Sequence, residues 1–243
     1  MLWSLRHEPG KRGGEGIRRL RRVSRPLGIL LLDTAFPRVR GDVGAAGTFA
    51  FPTRRATVAR ATPDAVVHAP DAGLLPAFIA AGRGLAGEGC AGIVTTCGFL
   101  ARWQSDLAAA LPVPVLSSAL LQVPLVERTL PPGRRVGIVT YSADDLAGDV
   151  LAGAGVAPDT PVAGVAASGY FAHAIRDGAA TLDPNRMAAD VVEATRRLLA
   201  KGRIGAIVLE CANMPPYRGA VAEAARMPVF DAAQLVRWFY EGL

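Results

Sequence analysis

The feature that most constrains this chain is an internal repeat, which relates residues 91–119 to residues 205–233 without a gap at an offset of 114. Eight of the 29 aligned positions are identical. The match between Cys97 and Cys211 is the informative one, because the chain has three cysteines. Each copy reads as an apolar run that ends in a cysteine, followed by a helix and a Pro-Val strand. The repeat therefore predicts two related halves, each presenting one thiol at the carboxyl end of a strand.

Apolar strands alternate with helical segments in both halves. Gly28–Asp33 and Arg135–Tyr141 are short, continuous apolar runs, as expected of strands buried on both faces. Strands that alternate with helices in this way form parallel sheets covered by helices. We therefore predict an α/β fold with two pseudo-symmetric lobes. The turn at Pro131–Gly133 divides them into residues 26–131 and 132–243, and the C-terminal helix is a candidate to pack on the first lobe.

Several smaller segments carry their own predictions. Arg54–Ala61 is predicted to be extended with Val66–His68 as its continuation, and Ser142–Asp145 is predicted to start a helix, since acids favour the first turn. The glycines of Gly82–Gly87 satisfy the G-x-G-x-x-G pattern of dinucleotide sites. That fingerprint needs a strand before it and a helix after it, whereas here a helix precedes and a strand follows. We therefore interpret these glycines as the end of a helix.

The net charge of +6 is concentrated in residues 1–25, which hold eight of the 27 Lys/Arg and two of the 21 Asp/Glu. The rest of the chain carries 19 charges of each sign, so no nucleic-acid partner is predicted for it. Residues 1–25 are expected to form a disordered basic tail.

No apolar run approaches the ~18 residues of a membrane helix, so no membrane partner is predicted. The five-residue run GILLL is shorter than the ~7–15 residues of an export signal. The three cysteines are widely spaced, unlike a disulfide framework or a zinc site. These features favour the cytoplasm.

Two thiols that face one carbon atom suggest a definite reaction. At the start of the helix after each strand, free N–H groups favour the thiolate and can hold a substrate carboxylate. One of the two predicted catalytic residues, Cys97 and Cys211, would remove a proton as a thiolate. The other would protonate the opposite face as a thiol, so that configuration inverts without a metal or an organic cofactor. The residues predicted to bind the substrate or stabilise its enolate are Thr96, Gly98, Phe99, Ser117, Ser118, Tyr141, Ser142, Ala212 and Asn213.

The alternative for each cysteine is a buried, small apolar side chain. The paired positions in the repeat favour a function for Cys97 and Cys211, whereas Cys90 has no partner in the other half and is interpreted as structural. Alternation along the strand predicts that Glu210 points to the face opposite Cys211. We expect it to pair there with a basic side chain or a backbone N–H group.

These residues resemble the aspartate/glutamate racemase superfamily, which also contains hydantoin racemases, maleate isomerases and arylmalonate decarboxylases. The segments that carry the resemblance are LLDTAFPRVRGDVGAAGTFAFP, IVTTCGFLARWQSDLA, VGIVTYSADDL and IVLECANMPPY. The resemblance covers Pro26–Leu243. It implies two flavodoxin-like lobes with the active site at their interface, Cys97 as the first catalytic cysteine and Cys211 as the second.

The motifs depart from those of the amino-acid racemases, which typically read Cys-Asn-Thr and Gly-Cys-Thr. Here Gly98-Phe99 follows the first cysteine, and Glu210 and Ala212-Asn213 flank the second. These changes predict a more apolar pocket than one built for aspartate or glutamate.

The sequence thus predicts a cofactor-independent racemase or epimerase of a small carboxylate or cyclic amide. Two alternatives stay open: an isomerase or lyase in which one thiolate attacks the substrate covalently, and a ligand-binding protein without turnover. The apolar segments Leu120–Leu125 and Leu235–Tyr240 are candidates for a homodimer interface.

Overall fold

The computed structural model describes residues 25–146 and 148–243. Its strands form two parallel four-stranded sheets, with orders β2-β1-β3-β4 and β6-β5-β7-β8. The strands are β1 (Leu27–Leu31), β2 (Thr53–Thr57), β3 (Ile93–Thr95), β4 (Val115–Leu116), β5 (Arg135–Thr140), β6 (Val162–Gly164), β7 (Ile204–Leu209) and β8 (Val229–Phe230). The α-helices are α1 (Leu75–Gly87), α2 (Gln104–Ala110), α3 (Val123–Glu127), α4 (Gly148–Gly153), α5 (Tyr170–Arg176), α6 (Pro184–Leu199), α7 (Arg218–Ala225) and α8 (Ala232–Glu241). The predicted α/β class and the two-lobed arrangement of parallel sheets are confirmed.

The two sheets have the same register as well as the same order. Ile93 pairs with Val115 in the first lobe, and Ile207 pairs with Val229, 114 residues later, in the second. Because the carboxyl ends of β3 and β7 are equivalent positions, the residues that follow these two strands are equivalent too. The order 2-1-3-4 is that of flavodoxin-like sheets, in which ligands bind beyond the carboxyl ends of the strands.

Glycines on the central strands let one helix of each lobe approach its sheet closely. A Cβ at Gly28 of β1 would lie 3.1 Å from a Leu85 side-chain atom of α1, and a Cβ at Gly137 of β5 would lie 2.7 Å from Leu198 of α6. The central strands β1 and β5 are buried almost throughout, so their apolar runs form the middle of each sheet.

Each lobe is also covered by a helix from the other half of the chain. Glu127 of α3 accepts a hydrogen bond at 2.6 Å from the N–H of Val136, in β5 of the second lobe. In return, Leu235 and Val236 of α8 share a hydrophobic cluster with Leu27 of β1 in the first lobe. This exchange ties the two lobes together.

Two local predictions were wrong. Residues Asp64–His68 form a short π-helical turn rather than a continuation of the strand, because the Asp64 carbonyl accepts from the Ala69 N–H at 2.8 Å. Ser142–Asp145 does not start a helix; the next described helix covers Gly148–Gly153. The Ser142 hydroxyl instead donates to the Asp145 carboxylate at 2.5 Å, which holds this segment as a bend.

Other predictions concern the chain ends and surfaces. The predicted tail lies outside the described residues except for Arg25, whose guanidinium donates to the Cys90 carbonyl at 3.0 Å. In the two segments predicted for a dimer interface, Leu125 and Trp238 are exposed at 63% and 64%, while Leu120 is fully buried. The homodimer stays a prediction. Among residues 25–146 and 148–243, no helix combines the length and hydropathy needed to cross a bilayer.

Candidate active site

A narrow cavity lies where the carboxyl ends of β3 and β7 face each other, and both Cys97 and Cys211 line it. Its volume is about 30 Å³, which is room for about one or two water molecules. The predicted residues that share this cavity with the two cysteines are Thr96, Gly98, Phe99, Tyr141 and Asn213. Residues that lie far apart in the sequence therefore meet in one cleft between the lobes.

Cys97 is the last extended residue before a short 3-10 helix, Gly98–Trp103. Burial raises the pKa of its thiol to about 12, and the neighbouring carboxyl of Glu210 contributes in the same direction. The backbone N–H groups of Phe99 and Leu100 and the cation of Arg102 lower the pKa, but by less. The sequence predicted that helix N–H groups would favour the thiolate. In the protein burial outweighs them, so this thiol is protonated at neutral pH.

Cys211 occupies the equivalent position after β7 and is also protonated at neutral pH. Burial is the main cause that raises its pKa well above the usual value, and the charges of Glu210, Cys97 and Asp42 act in the same direction. Its Sγ–H donates to the side-chain oxygen of Asn213 at 3.4 Å. An acceptor for this proton holds Cys211 as a thiol, a form that can deliver a proton.

A loop of the first lobe fixes the side chain of Asn213. The amide nitrogen of Asn213 donates to the buried carboxylate of Asp42, which also forms an ion pair with Arg38 at 3.1 Å and accepts from the N–H of Gly44 at 2.6 Å. Burial raises the pKa of Asp42, while Arg38, Asn213 and Gly44 lower it. The loop is bound to the second lobe a second time, because the N–H of Val43 donates to the Ala212 carbonyl at 3.1 Å.

Glu210 lines the same cavity. Its carboxyl group raises the pKa of both Cys97 and Cys211. The prediction that it points away from the cleft was wrong, because β7 ends at Leu209 and strand alternation no longer applies one residue later. Its Oε2 accepts from the hydroxyl of Thr140 at 2.8 Å. Burial raises the pKa of Glu210 to about 7, and the backbone N–H groups of Tyr141 and Gly98 oppose this shift.

Four residues predicted for the substrate site lie elsewhere. Ser117, Ser118 and Ala212 line a separate small cavity beneath the cleft, next to Ala232 of α8. Ser142 lines a neighbouring cavity of about 350 Å³ and is bound to Asp145. Thr96, although it lines the cleft, uses its hydroxyl to accept from the N–H of Leu32 at 3.3 Å.

Further residues of the cleft were missed by the sequence interpretation. They are Leu32, Thr34, Phe36, Arg38, Pro63, Val67 and Ile175. Most come from the irregular segments after β1 and β2, where no periodicity marks which side chains point inward. Their mainly apolar character agrees with the predicted apolar pocket. The described residues contain no group of three or more His, Cys, Asp or Glu side chains arranged to hold a metal ion.

The family model described as Asp/Glu/Hydantoin racemase matches residues 59–239. Among curated proteins, the chain is similar to dimethylsulfoniopropionate lyase 7 of Emiliania huxleyi (strain CCMP1516), with 29% identity over 85% of this chain and 63% of the relative. It is also similar to dimethylsulfoniopropionate lyase 5 of the same organism, with 29% identity over 88% of this chain and 45% of the relative. The chain therefore spans about half to two thirds of the length of these relatives.

Solved structures show the same fold at low sequence identity. Arylmalonate decarboxylase matches with a TM-score of 0.58 and 16% identity, over 90% of this chain and 92% of that one. Allantoin racemase from Klebsiella pneumoniae matches with a TM-score of 0.59 and 19% identity, over 89% of this chain and 87% of that one. At these identities the similarity is one of fold.

Proposed function

Because this chain belongs to the Asp/Glu/hydantoin racemase family, we propose that it racemises or epimerises a small carboxylate or cyclic amide without a cofactor. One observation carries the proposal: Cys97 and Cys211, which occupy equivalent positions of the two lobes, line the same cavity. Two proton carriers on opposite sides of one carbon atom suit the inversion of a stereocentre. The members of the family are enzymes, which disfavours the alternative of a protein that only binds a ligand.

In the reactive form one of the two thiols has given its proton to solvent, and the resulting thiolate takes the substrate's α-proton. The electron pair of the broken C–H bond moves into the adjacent carbonyl or carboxylate and forms an enolate. The thiol on the other face then gives its proton to the same carbon. Cys97 suits the role of base in one direction, because two backbone N–H groups lie near its sulfur. Cys211 suits the role of acid, because the side-chain oxygen of Asn213 accepts a hydrogen bond from its thiol. The opposite enantiomer reverses the roles.

Apolar side chains favour a substrate with a small apolar substituent. Phe36, Val67, Phe99 and Ile175 form much of the cleft surface. Arg38, its one lining cation among the described residues, is already paired with Asp42. A second carboxylate, as in aspartate or glutamate, would find no free counter-charge there. We therefore expect monocarboxylates or cyclic amides rather than acidic amino acids.

A second candidate function is favoured by the similarity to dimethylsulfoniopropionate lyases. The first step would be the same, since one thiolate would remove a proton from the carbon next to the carboxylate. The electron pair would then form a C=C bond as the β-carbon–sulfur bond breaks. The products would be dimethyl sulfide, acrylate and a protonated thiol. This elimination needs one base, whereas inversion needs both thiols.

The test separates these functions. Enantiopure 2-phenylpropionate, allantoin and 5-substituted hydantoins are incubated in deuterated water, and loss of the α-proton is followed by proton NMR together with chiral chromatography. Dimethyl sulfide released from dimethylsulfoniopropionate is measured by gas chromatography. Cys97→Ser and Cys211→Ser are expected to lower inversion at least about 100-fold, whereas Cys90→Ser is the matched control. Inversion that survives the loss of either Cys97 or Cys211 would show that the two-thiol mechanism is wrong.

A further inference from the structure

Glu210 is a buried acid that the thiol mechanism does not use, although it lies in the same cavity. Its side chain is 1% exposed, and its Oε1 atom has no hydrogen-bond partner among the described residues. Its other oxygen is bound to Thr140. A buried oxygen without a partner costs free energy unless a ligand completes its hydrogen bonds. Glu210 lines the cavity that contains both thiols, which suggests that the ligand is the substrate.

We propose that Glu210, in its protonated form, donates a hydrogen bond from its carboxyl group to the carboxylate of the substrate. This inference rests on the proposed function, because it assumes a carboxylate beside the two thiols. Glu210 would then be a further residue that touches the substrate. Because Glu210 must stay uncharged beside a bound carboxylate, its role would also explain why the cleft accepts a single negative charge.

The charges around Glu210 favour this protonated form. The titratable groups that face it are Cys97 after β3, Cys211 after β7 and Tyr141 after β5, and none of them is a cation. Arg38, which lines the cleft, and Arg102, which acts on Cys97, are both in ion pairs: Arg38 with Asp42 at 3.1 Å and Arg102 with Asp149 at 3.3 Å. A second anion next to an ionised Glu210 would be strongly unfavourable at this burial. A pKa of about 7 agrees with a carboxyl group that keeps its proton when a carboxylate binds.

The same hydrogen bond assists the chemistry. When the α-proton leaves, negative charge grows on the substrate's carboxylate oxygens, and a hydrogen bond from a neutral carboxyl group strengthens with that charge. A neutral acid in a buried site is a known means of stabilising an enolate at neutral pH. Glu210 would therefore lower the barrier as well as bind the ground state.

Binding can be separated from turnover with pivalate, a carboxylate that has no α-proton. Isothermal titration calorimetry between pH 6 and 9 measures its dissociation constant, and buffers of different ionisation enthalpy give the protons taken up. We expect the wild-type dissociation constant to rise about tenfold per pH unit above the pKa of Glu210, with proton uptake close to one per pivalate at pH 8.5. Pivalamide, a neutral analogue of the same shape, should bind without this pH dependence.

Two variants and a control complete the test. Glu210→Gln keeps a donor at every pH, so its affinity for pivalate should be constant from pH 6 to 9. Thr140→Val removes a donor that favours the ionised form and should move the wild-type midpoint to higher pH. Glu223→Gln, an exposed acid on α7, should behave as the wild type.

The outcomes of this test and of the deuterium-exchange test are distinguishable. The inference is overturned if wild-type affinity for pivalate is flat across this pH range, if no proton is taken up, or if pivalate does not bind at any pH. If deuterium exchange depends on the thiols but any of these results is obtained, the proposed function holds and the inference about Glu210 fails. Proton-linked pivalate binding without thiol-dependent exchange supports the role of Glu210 and removes the proposed reaction.

Discussion

The carboxylate of Asp42, in the first lobe, binds the side-chain amide nitrogen of Asn213 and so turns the amide oxygen toward Cys211 in the second lobe. This contact joins residues 171 positions apart in the chain. Because the amide nitrogen is occupied by Asp42, the atom left to face the sulfur is an acceptor. Asp42 is thus a positioning residue that acts on Cys211 through Asn213, and Arg38 holds Asp42 in turn.

Asp42→Asn should weaken this arrangement in two measurable ways. Removing one partner of a buried ion pair is expected to lower the free energy of unfolding by about 3–5 kcal/mol, measured by urea denaturation. A displaced Cys211 should lower turnover by about 100-fold. A general structural effect would change the alkylation rates of Cys97 and Cys211 alike. Loss of the Asp42 charge and of the fixed acceptor should lower the pKa of Cys211 and speed its alkylation, while Cys97 is unchanged.

Asp106→Asn is the matched control for this prediction, since Asp106 is an exposed acid on α2 of the same lobe. It should leave stability, turnover and alkylation unchanged. Equal acceleration of alkylation at Cys97 and Cys211 in Asp42→Asn would point to general loosening and contradict the positioning role.

The raised pKa of Glu210 makes stability depend on pH in a predictable direction. In the unfolded chain this carboxyl ionises near 4.5, whereas in the folded protein it keeps its proton until about pH 7. The folded state therefore binds more protons between these values, and stability falls as pH rises through this window. A shift of this size corresponds to about 3 kcal/mol.

Comparing the wild type with Glu210→Gln isolates this contribution. The difference between their free energies of unfolding should change by about 3 kcal/mol in favour of the variant between pH 4.5 and pH 7.5. Urea titrations at a series of pH values measure it. A difference that stays constant over this range would mean that the carboxyl group is not held protonated by burial.

Gly98 and Glu210 share one small space. A Cβ at position 98 would collide with the Glu210 carboxyl, the nearest carbon lying 2.8 Å away. Gly98→Ala should therefore displace Glu210 and destabilise the protein by about 1–3 kcal/mol. In the double variant Gly98→Ala/Glu210→Ala this cost should largely disappear, which a double-mutant cycle measures as coupling.

Gly84 provides the control, because it lies in α1 with open space around its Cβ position. Gly84→Ala should stabilise the protein by about 0.5–1 kcal/mol, the usual gain in a helix interior. Additive effects of the substitutions at positions 98 and 210 would contradict the shared space.

The sequence was sufficient to predict the sheets but not the inner surface of the cleft. The repeat aligned Cys97 with Cys211, and parallel sheets bring equivalent strand ends into equivalent places, so the meeting of the two thiols followed from topology. The position of Glu210 did not follow, because it depends on β7 ending one residue earlier than alternation would need. Asp42 lies in a loop rich in glycine, where no period indicates which side chain turns inward.

The turn at Asp64–His68 is a second place where the sequence did not predict the structure. Its residues Val66-Val67-His68 have strand propensity, and the sequence interpretation extended the strand into them. Local hydrogen bonds that Thr62 accepts, together with burial of Val66 and Val67 against the core, overrode that propensity. Short segments are decided by such tertiary contacts more than by their own composition.

The high pKa of the cleft thiols predicts slow alkylation of the folded protein. At pH 8, a thiol with a pKa of about 12 has a thiolate fraction about 1,000-fold smaller than an ordinary cysteine. Iodoacetamide should therefore modify Cys97 at least about 100-fold more slowly than in guanidinium-unfolded protein. Mass spectrometry of the tryptic peptides measures each site. Rapid modification of Cys97 at pH 8 would show that its thiolate is stabilised in the free enzyme.

A side-chain contact joins the two lobes beside the cleft. His68, in the turn that follows the cleft residues Pro63 and Val67, lies with its Nδ1 atom 2.7 Å from the Asp145 carboxylate of the second lobe. The turn Asp64–His68 contributes Val67 to the wall of the cleft, so opening of the turn would widen the cleft. Val66 and Val67 anchor this turn in the core, and the partly exposed His68–Asp145 contact ties it to the second lobe.

Asp145→Ala should therefore favour opening of this turn. A partly exposed side-chain pair of this kind contributes about 0.5–1 kcal/mol, so amide hydrogen exchange in residues 64–69 should become about 2–5-fold faster. The free energy of global unfolding should change little, because the core of both lobes is untouched. Asp144→Ala, at an exposed neighbouring position, is the control and should not alter exchange. If exchange in residues 64–69 is the same in both variants, the pair does not hold the turn, and access to the thiols must be governed by another part of the wall.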